Sequence, residues 1–126
     1  MSKKRIESRG APRPIGPYSQ AVVAGSLLFA SGQIPLDPDT SEMVTGPIEA
    51  QTEQVFKNLL AVLKEAKLGP QNVVKTTVYL TDLEDFSAMN TVYERYLGKD
   101  APARSTIQAA ALPRGAKVEI ELVAAF

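Results

Sequence analysis

From Ile48 to Ala66 the apolar residues Ile48, Val55, Phe56, Leu59, Leu60, Val62, Leu63 and Ala66 recur at three- and four-residue spacing. That period predicts an amphipathic helix of about five turns, with Pro47 suited to its first position and Gly69-Pro70 ending the run. The rhythm then changes. "NVVKTTVYLTD" is dense in β-branched residues and predicts a strand from Val73 to Thr81. "DLEDFSAMNTVYERYLG" returns to helical spacing, with Phe86, Met89, Tyr93 and Leu97 on one stripe, Asp82 or Asp85 as N-cap and Gly98 as the stop.

The flanks read as strands. Residues 3 to 8 form a short edge strand, a Pro/Gly-rich loop runs to Pro17, and Tyr18 to Ala24 pairs with Leu27 to Ser31 around a Gly25-Ser26 turn. Two more strands, Arg104 to Ala111 and Lys117 to Ala125, are joined by "LPRG". The whole predicts one α+β domain, residues 1–126, with a mixed sheet and both helices packed on one face.

Strand alternation sorts the residues between the two faces. Val118, Ile120 and Leu122 point to the helices, and Lys117, Glu119 and Glu121 point away. On the preceding strand Ile107 and Ala109 join the core face, which leaves Arg104, Thr106 and Gln108 opposite. On the middle strand Val74, Thr76, Val78 and Leu80 are one set, and Lys75, Thr77, Tyr79 and Thr81 the other. Arg104 and Glu119 then share the polar face of adjacent strands. A bland reading treats that face as solvated, with Arg104 and a glutamate in a surface ion pair contributing about 0–1 kcal/mol. Val123 and Ala125 lie on the same face and point instead to a cover, for which a second subunit is the simplest candidate.

Composition narrows the chemistry. Fourteen basic and fourteen acidic residues leave no net charge to draw in nucleic acid or an anionic membrane. The chain has neither histidine nor cysteine, which removes disulfides, thiolate catalysis and the common zinc sites. No apolar stretch follows the basic residues of "MSKKRIESRGAP", and no run approaches membrane-spanning length, so a soluble cytoplasmic protein is expected. Asp37, Asp39 and Ser41 imitate the start of a calcium loop, but Glu42 stands where glycine is required and Ile48 where the bidentate glutamate should be; the segment reads as a turn. Tyr18, Phe86, Tyr93 and Tyr96 do not interleave with basic residues, so stacking on nucleic acid finds little support.

The motif "PARSTIQAAALP" followed by "VEI", with "IGPYSQAV", "LLFASGQIPLDP" and "VVKTTVYLTDLEDFSAMNTVYERYL", resembles the reactive intermediate deaminase (Rid, formerly YjgF) family, nearest its A subgroup. The resemblance implies chorismate-mutase-like subunits in a homotrimer, whose sheets form a barrel with the helices outside and pockets between subunits. It also implies cofactor-independent, metal-free hydrolysis of 2-imino acids, such as 2-iminobutanoate and 2-iminopropanoate, to 2-keto acids and ammonia.

By the same resemblance Arg104 holds the substrate carboxylate and Glu119 orients or activates water. Tyr18, Ser31, Gly32, Asn90 and Thr106 fall at positions around the pocket, Thr106 standing where several members carry cysteine. Such a reaction needs positioning, a proton shuttle and water, because an imine carbon is already electrophilic. Each assignment has a plainer alternative: Tyr18 and Asn90 as packing or helix-surface residues, Ser31 and Gly32 as loop-shaping residues, and Glu121 as a structural glutamate. A trimer that binds small carboxylates without turnover is the competing function.

Overall fold

The computed structural model describes residues 2–126. Its elements are β1 (Lys3–Ile6), β2 (Ala21–Ala24), β3 (Leu27–Gln33), α1 (Ile48–Glu65), β4 (Val73–Leu80), α2 (Phe86–Leu97), β5 (Ala103–Gln108) and β6 (Val118–Ala125). The strands form one mixed sheet in the order β1-β2-β3-β6-β4-β5. Every pair is antiparallel except β4 and β5, which α2 joins as a parallel crossover.

Both helices cover one face, as the sequence predicts. The core between the layers contains Leu28, Val78, Leu80, Val118 and Ile120 from the sheet and Val55, Phe56, Leu59, Val62, Met89 and Val92 from the helices. Fully burying side chains of this size stabilises by about 1.5–3 kcal/mol each. Phe56 meets Tyr93 edge-on and stacks on Tyr96, tying α1 to α2. Buried polar groups on α1 are used to hold loops: the Asn58 amide donates to the carbonyls of Ile34 and Leu36, and Gln51 accepts from the Lys117 N–H. The Asp37 carboxylate accepts the N–H groups of Asp39 and Thr40, which makes the calcium-like segment a turn.

Three expectations are corrected. The pairing of β4 with β6 slips by one residue between Val73 and Lys75, so Val73 is buried and Val74 is exposed. The last two strands are not neighbours, because β4 lies between β5 and β6. Parallel registration also sets Arg104 beside Thr76, Thr106 beside Val78 and Gln108 beside Leu80, all on the helix face. Ile107 falls beside Tyr79 on the open face and is half exposed. The reason is topological: a strand reached through a crossover helix pairs parallel at the sheet edge, where its polar residues meet the rim of α2 instead of the core.

Candidate functional site

The predicted site residues separate into two groups within one chain. The first stands on the open face around Glu119. A bulge in β3 between Ala30 and Gln33 inserts Ser31-Gly32 opposite Glu121, and it brings Gly32 against the Glu119 side chain. A Cβ at Gly32 would collide with that carboxylate where it now lies, so glycine permits the close approach and is not there for backbone conformation. Tyr18, Ser31, Gly32, Pro113, Glu119 and Glu121 line a cavity of about 370 Å³.

Ser31 also builds the wall. Its hydroxyl donates to the Ser19 carbonyl at 2.6 Å and its N–H to that of Gln20 at 2.9 Å. The buried Gln20 side chain in turn accepts from Ser8 N–H and donates to the Ser8 and Pro12 carbonyls, clamping the loop that carries Tyr18. The Tyr18 hydroxyl accepts from Ile15 N–H at 3.2 Å, and its ring stays half exposed at the cavity's edge.

Burial, and then the charge of Glu121, holds the Glu119 carboxyl above the ordinary carboxylate range. Glu121 itself accepts a 2.8 Å hydrogen bond from Tyr79, and that bond is the largest cause raising the Tyr79 phenol. A carboxyl raised in this way is better suited than an ordinary one to exchanging a proton.

The second group surrounds Arg104 at the β5 edge, on the helix face. Its guanidinium donates to Asn90 Oδ1 at 2.7 Å and lies over the rings of Tyr93 and Phe86, 4.6 and 5.4 Å from their centroids. Among the described residues no Asp or Glu carboxylate lies within 4 Å of it. It borders a cavity of about 350 Å³ with Asn90, Tyr93, Glu94, Gly98 and Pro102. Thr106, two residues on and on the same face, has a buried hydroxyl without a partner among the described residues. A cation held by a neutral amide and two rings is an arrangement that accepts an anion.

Arg104 and Glu119 therefore do not meet in one subunit. Their strands are two apart, about 10 Å by strand spacing, and the side chains leave opposite faces. Phe86 and Tyr93 were legible only as a core stripe; their spacing from Asn90, at i, i+4 and i+7, was the available signal. A larger cleft of about 830 Å³ lies on the far side of the N-terminal loop and takes in neither Arg104 nor Glu119.

The chain is similar to known proteins along nearly its whole length. Residues 8–126 match the family model described as endoribonuclease L-PSP. The chain is 55% identical to protein DfrA of Myxococcus xanthus over 98% of this chain and 96% of the relative. It is 43% identical to the human 2-iminobutanoate/2-iminopropanoate deaminase, covering 98% and 90%. A Thermotoga maritima crystal structure, described as a candidate endoribonuclease, superposes with a TM-score of 0.96 at 48% identity and 98% and 97% coverage.

Proposed function

The chain belongs to the endoribonuclease L-PSP (Rid) family, and on that premise we propose that it hydrolyses short 2-imino acids, such as 2-iminobutanoate and 2-iminopropanoate, to 2-keto acids and ammonia. The observation that carries the reading is Arg104, a guanidinium fixed by Asn90 and two rings with no Asp or Glu carboxylate within 4 Å among the described residues. Its planar fork fits the carboxylate of a 2-imino acid and presents the adjacent carbon in a fixed place.

The site is assembled from two copies of the chain in a homotrimer under this proposal, because each copy holds Arg104 and Glu119 on opposite faces. Phe29 and Ile107, both nearly half exposed on the open face, are the apolar surface such an interface would bury. Arg104 of one copy grips the substrate carboxylate, and Thr106, its hydroxyl buried and unpartnered among the described residues, lies two residues further along the same face of β5. Glu119 of the neighbour takes a proton from water as its oxygen bonds to the imine carbon and the C=N π electrons move to nitrogen. That proton passes to nitrogen to give a carbinolamine, and Glu119 then takes the hydroxyl proton and delivers it to the same nitrogen as the C–N bond breaks, leaving keto acid and ammonia. Imine and one water are consumed, and Glu119 is restored.

The family's description also names RNA cleavage. A chain with zero net charge and no histidine offers little for phosphate binding or for the acid–base pair that such cleavage commonly uses. The test is ammonia release from imine generated in situ, with and without the protein. Acceleration is expected, and its absence from correctly folded protein overturns the proposal.

A further inference from the structure

The face that α2 turns to β5 is built around one side chain. Phe86, Asn90 and Tyr93 all contact the Arg104 guanidinium, two through their rings and one through a 2.7 Å hydrogen bond. Tyr93 is itself fixed, since its hydroxyl bonds the buried Thr76 Oγ1 at 2.7 Å, and Thr76 is the β4 residue registered with Arg104. Phe86 differs: it is 38% exposed at the start of α2, so burial does not account for an aromatic ring there.

We propose that Phe86, Asn90 and Tyr93 are positioning residues, a cradle that orients the Arg104 guanidinium so that its free edge faces an incoming carboxylate; this rests on the functional reading above. An arginine on an edge strand otherwise samples many rotamers and loses that freedom on binding. Two rings against the guanidinium and an amide on one N–H remove most of it beforehand. The N–H donors that Asn90 does not engage are left for a carboxylate. Asn90 then acts through Arg104, its Oδ1 being already engaged by the guanidinium.

The experiment compares Phe86→Leu with Phe86→Tyr in the full-length protein. Guanidinium resonances of Arg104, assigned by their loss in Arg104→Lys, are expected to be shifted upfield by the rings in the wild type and in Phe86→Tyr. In Phe86→Leu they move toward the position of free arginine. Affinity for 2-oxobutanoate, the keto-acid probe, is expected to fall about five- to tenfold in the leucine variant and to recover in the tyrosine variant. In turnover the loss falls on KM more than on kcat. A leucine variant with unchanged resonances and affinity overturns the cradle. If the wild type neither turns over imines nor binds 2-oxobutanoate, the functional reading fails, while the resonance comparison still decides whether the rings hold Arg104.

Discussion

Arg104 and Glu119 stand on opposite faces of one sheet, with β4 between their strands. One turns to Asn90 on α2 and the other to Gly32 in the β3 bulge. Each half is separately well built, and neither contains the other's chemistry.

Arg104→Ala is expected to lower kcat/KM by about a hundredfold or more, since each hydrogen bond to a charged group is worth about 1.5–3 kcal/mol. Arg104→Lys should recover only part, because an ammonium cannot copy the planar fork. Steady-state kinetics check both variants. Far-ultraviolet circular dichroism is expected to be unchanged, the residue being partly exposed on an edge strand.

Gly32→Ala tests the other half. The added methyl displaces the Glu119 carboxylate without demanding a forbidden backbone angle, so activity should fall about a hundredfold while the fold persists. Kinetics with a melting curve separate the two effects. Wild-type turnover in this variant would mean that the position of Glu119 does not matter.

The raised Glu119 carboxyl gives a prediction in pH. The folded state holds that proton more tightly than the unfolded chain, whose ordinary value is 4.5. The group therefore contributes stability below about pH 4.5 that is lost as pH rises through the raised value. Glu119→Gln, which mimics the protonated form, should melt with the wild type at low pH and above it at neutral pH. In activity, the acid limb should lie above 4.5. Glu121→Gln should move it downward by removing the second cause of the shift, though not burial, the first.

Much of this was legible in the sequence, and the failures share a cause. The three-and-four spacing from Ile48 to Ala66 and the alternation of Val118, Ile120 and Leu122 report burial directly, so α1 and the faces of β6 follow from them. The faces of β5 do not, because "ARSTIQ" has one large apolar residue, Ile107, and alternation assigns it to the nearest core. A helix inserted between β4 and β5 was the better guide, since such crossovers join parallel strands. The bulge at Val74 had no local signal: two valines in a row fit either register, and only the pairing with β6 shows which is buried.

The same two-sided placement explains why alternation could bring Arg104 and Glu119 together on paper while the fold keeps them apart. The family motifs name both residues but carry no information on the faces they occupy. That information lies in the strand order and register.

Mixed assembly of Arg104→Ala and Glu119→Gln chains is the most direct test. Each variant alone should be nearly inactive toward imine. In randomly mixed trimers about a quarter of the interfaces pair an intact Arg104 with an intact Glu119 from the neighbour, so about a quarter of wild-type activity should return. Activity no greater than the sum of the two parents would contradict a site shared between copies.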